Sequence, residues 1–235
     1  MMQKPPRRLL VISPHLDDAV FSCGALLAAE TDALVCTVFA GTPEMPMVTG
    51  WDTECGFSDA HQAMEARRAE DIAALEILGA RARHLSFLDS QYAEDGAQTM
   101  QAIADALADV IHAGRHDAVL IPAGLFHSDH DLVHRAALAA CMADASQRCI
   151  AYEDGLYRRM DGLVQQRLAA LQSDGMEATP WLETIDVAGL PGYLEGKQRA
   201  VQCYASQLRA FGPHGYDDVL APERFWTLRT KHRDA

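Results

Sequence analysis

Long apolar runs are missing from this 235-residue chain. No stretch approaches the roughly 20 residues that a membrane-spanning helix needs. The run behind the basic N-terminus, Leu9 to Ile12, is too short for a signal-peptide core. Paired cysteines are missing as well. Cys23, Cys36, Cys55, Cys141, Cys149 and Cys203 are scattered without a CxxC pair, which argues against a thiolate metal site or a disulfide framework and for a reducing, cytoplasmic setting. Positive charge is scarce, with 20 Lys+Arg against 33 Asp+Glu and a net charge of −13. Nucleic acid and anionic lipid require clustered cations, so neither is an expected partner, nor is membrane insertion. A small molecule suits the chain better. What is present is ordinary globular material: 49% apolar and 23% charged residues are enough to offset the entropy of ordering a backbone. The length fits one domain, 1–235, better than two of usual size.

Apolar runs and helical stretches alternate. Strands are predicted at Arg8–Ser13, Ala33–Ala40, Arg83–Leu88, Ala118–Pro122 and Arg148–Tyr152. Helices are predicted at Asp18–Glu30, Ser58–Leu78 with its Gly79 stop, Gln98–Ala113 and Asp129–Ala143. This alternation predicts a Rossmann-like α/β fold over 8–155, a mostly parallel sheet with helices on both faces and right-handed crossovers. Beyond 156 the pattern weakens into a C-terminal extension that completes the domain. Strand pieces at Leu163–Leu168 and Trp181–Val187 around a Ser173-Asp174-Gly175 turn suggest antiparallel pairing, and Lys197–Phe211 reads as one helix ended by Gly212-Pro213. Met45–Phe57 and Asp89–Gly96 read as loops.

Two segments carry chemistry. Ser13-Pro14-His15-Leu16-Asp17-Asp18 closes the first predicted strand, and His127-Ser128-Asp129-His130 follows the fourth, both at the carboxyl edge of the sheet, where open α/β folds bind ligands. Two imidazoles and one carboxylate drawn from them make a catalytic zinc set with an open position. A carboxylate outside that set can take the proton of a water that a metal has made acidic. Asp17 and Asp18 can divide these tasks because consecutive residues diverge in direction. Other readings compete. Asp18 can cap the following helix, and Ser128 with Asp131 forms a helix start signal; neither excludes catalysis. His130-Asp131-Leu132-Val133-His134 imitates the HExxH helix of metalloproteases, but leaves the first motif without a task. Arg67 and Arg68 beside Glu65 and Glu70 can be a solvated charged face. Trp51 and Asp89-Ser90-Gln91-Tyr92 follow strands at the same edge and are candidates for substrate contact. Cys23 reads as a small buried residue, not a nucleophile.

The ordered motifs resemble those of the LmbE-like or PIG-L zinc-dependent de-N-acetylases, with His-Xaa-Asp-Asp after strand one and His-Xaa-Asp-His about a hundred residues later. Arg67-Arg68-Ala69-Glu70 with Leu78-Gly79, and Lys197 with Tyr204-Ala205-Ser206-Gln207, are similar to further family segments, so the resemblance covers most of the chain. It implies that His15, Asp18 and His130 hold Zn2+, with Fe2+ as the alternative metal. It implies Asp17 as general base, and His127 as the group that stabilises the oxyanion or protonates the leaving amine. Asp129 would orient His127 by a hydrogen bond, and Arg67 would reach a substrate hydroxyl, with Arg68 as the alternative. The implied reaction is hydrolysis of the N-acetyl amide of an amino sugar or glycoconjugate, of the N-acetylglucosamine type, to acetate and a free amine. Leu16, Ala19 and Ser128 depart from the usual Pro, Glu and Pro. Leu125 stands where some relatives place a Tyr, so any tyrosine help at the oxyanion comes from elsewhere. Two alternatives stand beside this: an amidase for a larger amide such as a thiol-sugar conjugate, and a non-catalytic metal- or sugar-binding protein on the same scaffold, against which Asp17 argues. The sequence leaves room for a homo-oligomer.

Overall fold

A computed structural model describes residues 8–30, 32–93, 98–181 and 190–231. The elements run β1 (Arg8–Ser13), α1 (Asp18–Ala29), β2 (Asp32–Thr37), α2 (Gly50–Cys55), α3 (Ala60–Ile77), β3 (Arg81–His84), α4 (Met100–Ala113), β4 (Ala118–Pro122), α5 (Ser128–Met142), β5 (Cys149–Tyr152), α6 (Leu163–Ser173), β6 (Met176–Pro180), α7 (Leu190–Val201), α8 (Ala205–Phe211), a 3-10 turn (Asp217–Leu220) and β7 (Phe225–Thr230). The sheet has the order β3-β2-β1-β4-β5-β7-β6. Neighbours among β3, β2, β1, β4 and β5 are parallel, whereas β7 runs antiparallel to both β5 and β6.

β1 is apolar on both faces because it lies mid-sheet under two helical layers. Its side chains alternate by the period of a strand. Leu9 and Val11 join a core with Phe21 of α1, Leu75 of α3 and Val201 of α7. Leu10 and Ile12 face the other way, against Ile103 and Leu107 of α4 and Val133 of α5. The strand order reverses direction between β1 and β4, and that switch point opens a crevice at the carboxyl ends of both strands.

The C-terminal third departs from expectation. Leu163–Leu168 is not a strand but the start of α6. The pattern is ambiguous over six residues, and the Ala, Leu and Gln that follow it are strong helix formers. The antiparallel extension exists, built from β6 and the unanticipated β7. Trp181 continues it by donating its N–H to Phe225 O at 2.9 Å, while the rest of the Trp181–Val187 strand expectation lies outside the described residues. Lys197–Phe211 is two helices. They part before Tyr204, which is fully buried and whose hydroxyl donates to Asp71 Oδ1 at 2.8 Å, so burying that ring turns the chain.

Within Met45–Phe57 sits α2, started by a Thr49/Asp52 capping box and stopped by Gly56 at φ 94°, a left-handed position that glycine takes without strain. β3 covers Arg81–His84 instead of Arg83–Leu88, with Ser86 adding only an isolated bridge to Phe39. Asp89 O closes a turn onto Tyr92 and Ala93 N–H; residues 94–96 of that expected loop lie outside the described residues. Among the described residues, no helix is long and apolar enough to cross a membrane.

Candidate active site

The turn after β1 is tied by its own side chains. Ser13 Oγ donates to His15 O at 2.7 Å and accepts from Ala19 N at 3.0 Å. Asp18 Oδ2 accepts the His15 backbone N–H at 2.9 Å and lies 3.1 Å from His15 Nδ1. Asp17 holds the N-cap position of α1 but makes no side-chain cap bond, so its buried carboxylate is not committed to capping. After β4, His127 is the N-cap of α5, its Nδ1 accepting from Asp129 N at 3.2 Å.

The two motifs meet across the crevice. His130 Nε2 lies 3.2 Å from Asp18 Oδ2, and one ligand atom each from His15, Asp18 and His130 fall within 4.8 Å of one another. Two imidazoles and one carboxylate, all largely withdrawn from solvent, are the donor set of a catalytic divalent-metal site. His130 Nδ1 faces Asp154 Oδ1 at 2.6 Å, and Asp154 Oδ2 accepts the Leu125 N–H at 3.0 Å. Metal-ligating imidazoles are commonly backed by a carboxylate in this way. The sequence reading overlooked Asp154, although it follows the fifth predicted strand at the same edge.

Asp129 meets His127 through its backbone N–H, while its carboxylate faces His15 Nε2 at 3.0 Å and the Ser90 N–H at 3.1 Å. The expected Asp129–His127 bond is therefore a main-chain one.

Crowded carboxylates set the electrostatics. Burial and the adjacent Asp18 push Asp17 up to about 7 against the opposing pull of Arg67, His15 and His130. Burial would also raise Asp18, but the His130 and His15 imidazoles outweigh it and hold Asp18 well below the usual carboxylate range. His130 is raised to about 9 despite burial, because Asp18 and Asp154 favour its charged form. His127 is lowered, first by burial and then by His15. A cation bound among these carboxylates and imidazoles would become the largest local charge and reset these pKa values.

The site opens into a cavity of about 490 Å³ lined by Trp51, Arg67, Gln91, Tyr157, Gln207 and Phe211 among others, within the roughly 300–1,000 Å³ of small-molecule sites. Arg67 is 4% exposed and lies 3.8 Å from Asp89 Oδ2; its Nε and Nη1 find no hydrogen-bond acceptor. Arg68 turns away to Ala40 O and Thr42 Oγ1, so of the two arginines it is Arg67 that reaches the cavity. Trp51, Asp89, Ser90 and Gln91 line the cavity, whereas Tyr92 does not. Among the described lining residues the one tyrosine is Tyr157, from the segment after β5. Gln207 lines the cavity and accepts from Trp51 Nε1 at 3.2 Å, while Lys197 is buried against Glu223 Oε1 at 2.8 Å. The HExxH-like reading fails, because buried His134 donates through Nδ1 to Pro122 O at 2.8 Å and Asp131 pairs with Arg135 and Arg167. Cys23 is buried, and burial holds its thiol well above its usual range.

Comparison with known proteins supplies the family. Residues 10–141, over half the chain, match the family described as PIG-L, GlcNAc-PI de-N-acetylase. The chain is 30% identical over 220 residues to 2'-N-acetylparomamine deacetylase of Streptomyces fradiae, covering 85% of this chain and 73% of that one. Among solved structures, the zinc-inhibited form of teicoplanin deacetylase superposes with a TM-score of 0.76 at 27% identity, over 96% of this chain and 99% of the other. The A40926 pseudoaglycone deacetylase does so with a TM-score of 0.76 at 29% identity, over 95% and 98%. The chain belongs to the PIG-L family of de-N-acetylases.

Proposed function

We propose that this protein is a zinc-dependent N-deacetylase that hydrolyses the N-acetyl amide of an amino sugar or glycoconjugate of the N-acetylglucosamine type. The carrying observation is the convergence of His15, Asp18 and His130 within 4.8 Å, with the uncapping carboxylate of Asp17 buried next to them. A divalent cation held by those three supplies Lewis acidity and lowers the pKa of water to about 7; Fe2+ suits the same donors. The three relatives named above are deacetylases, and their names support the reaction class and a glycoside-type small molecule as substrate.

The chain's own residues divide the remaining work. Asp17 accepts a proton from the attacking water, a general-base role worth about 10²–10⁴ in rate. His127 has its Nδ1 occupied by the Asp129 N–H, so its neutral ring carries the proton on Nε2. That N–H is free to donate to the carbonyl oxygen as it gains charge; protonating the departing nitrogen would instead require the imidazolium form. The lowered pKa of His127 keeps the ring neutral and a hydrogen-bond donor, so the proton for the departing nitrogen is the one Asp17 took from the water. The amide C–N bond breaks, acetate leaves, and the amine keeps the proton. Asp129 thus sets the His127 tautomer, and Arg67 offers its unpartnered N–H groups to a sugar hydroxyl. The whole chain serves as one domain, since β6 and β7 extend the sheet that carries the site. Free cysteines throughout suit a cytoplasmic setting.

The test is metal analysis joined to a screen for acetate and free amine over N-acetylglucosamine derivatives and 2'-N-acetylparomamine. Stoichiometric zinc, equal yields of acetate and amine, and loss of turnover on chelation with recovery on adding Zn2+ support the proposal. A metal-loaded protein that binds these sugars without releasing amine is a binding protein instead. Release of a larger acid marks an amidase.

A further inference from the structure

Phe126 sits between β4 and His127 in a conformation that costs energy twice over. It is 66% exposed, and it is the only non-glycine among the described residues with positive φ, at 62°. The His127 N–H reaches back to Leu125 O at 2.7 Å, so Phe126 is the centre of a γ-turn of the positive-φ hand, which is rare and strained. A bulky ring in that region is a conformational outlier, and such strain clusters at functional sites.

The surroundings give the ring a task. Its centroid is 5.3 Å from that of Tyr157, tilted by 36°, and Tyr157 in turn stands edge-on to His130 at 5.2 Å and lines the catalytic cavity. Phe126 also lines a separate groove of about 250 Å³ with Leu125, Leu163 and Ala170, bordered by Gln166 and Arg167. The exposed Phe126 ring therefore adds apolar surface next to a residue of the cavity wall. On the cavity wall, Trp51 and Phe211 lie 5.3 Å apart.

We propose that Phe126 and Tyr157 form a platform for a planar apolar group attached to the acetylated amino sugar, so that the substrate is an apolar glycoconjugate and not a free sugar or a polar oligosaccharide. This inference rests on the reading of the cavity as an N-acetyl-amino-sugar site. An aromatic ring placed against another gains stacking beyond its buried area, which a free sugar leaves unused.

The probes are methyl and 2-naphthyl N-acetylglucosaminide, with amine release measured on the zinc-loaded full chain. The quantity read is the naphthyl-to-methyl ratio of kcat/KM. A ratio of about three to ten is expected, falling toward one in Phe126→Asn, a residue that tolerates positive φ, and kept in Phe126→Tyr. A ratio of one in the unmodified protein overturns the platform, as does a ratio that Phe126→Asn leaves unchanged. If neither glycoside is deacetylated, it is the proposed reaction that fails. The platform is then judged by calorimetric binding of the two deacetylated glucosaminides, where equal affinities, or a naphthyl preference that survives Phe126→Asn, overturn it.

Discussion

Asp154 Oδ1 lies 2.6 Å from His130 Nδ1, and both side chains are 1% exposed. The same carboxylate accepts the Leu125 N–H, so one residue after β5 ties the loop before α5 to an imidazole of the donor cluster. It leaves His130 Nε2 directed at Asp18. Asp154→Ala is expected to weaken zinc binding about 10- to 100-fold. Competition with a chromogenic chelator reads this directly, and unchanged affinity would reduce Asp154 to a loop tether.

Asp17 and the donor set should separate cleanly. Asp17→Asn is expected to retain zinc while losing about 10²–10⁴ in turnover, whereas His15→Ala and His130→Ala lose the metal. Metal content and amine release on the same preparations check this. Full turnover in all three variants would be fatal to the assignment.

Arg67 and Arg68 are adjacent but do different things. Arg67→Met removes the cation facing Asp89 and the N–H groups offered to substrate, so KM should rise by about tenfold or more. Arg68→Met loses the bonds to Ala40 O and Thr42 Oγ1, so it should lower stability by about 1–3 kcal/mol with little change in KM. Steady-state kinetics and thermal melts on both variants distinguish the roles; matching effects would contradict them.

His134 links stability to pH. Burial, then the charge of Arg167, holds its pKa below the ordinary 6.5. The unfolded chain therefore binds a proton more readily than the folded one, and stability falls as pH drops through about 6.5. His134→Asn keeps a donor for Pro122 O without titrating. It should lose less Tm than the unmodified protein between about pH 7.5 and 5.5. Equal losses would show that His134 contributes nothing to the acid limb.

Lys197 and Glu223 form a buried pair that also grips α1. Lys197 Nζ donates to Phe21 O at 2.9 Å, and the Glu223 oxygens accept from Ala25 N and Leu26 N. Lys197→Met leaves the Glu223 charge buried without its partner and should cost about 3–5 kcal/mol. Adding Glu223→Leu should recover part of that loss, because the uncompensated charge is gone. Urea unfolding measures both, and a double variant less stable than the single one would refute the argument.

The sequence on its own singled out the candidate site residues and most of the parallel sheet. β1 and β4 coincide with the expected strands because each is a continuous apolar run bounded by turn residues, and a mid-sheet strand needs nothing else. His15, Asp17, Asp18, His127, Asp129 and His130 could be singled out because they cluster at strand ends, within reach of one another once the strands lie side by side. Tertiary structure decided the rest. α6 and β7 depended on partners distant in the chain, since six residues of mixed polarity suit a helix or a strand equally until something packs on them. The break before Tyr204 came from a ring drawn into the core, the choice of Arg67 over Arg68 from the face of α3 that meets the cavity, and the backing of His130 by Asp154 from a contact 24 residues apart. Local sequence carries residue type and period; which side chains share a buried space is settled only when the layers close.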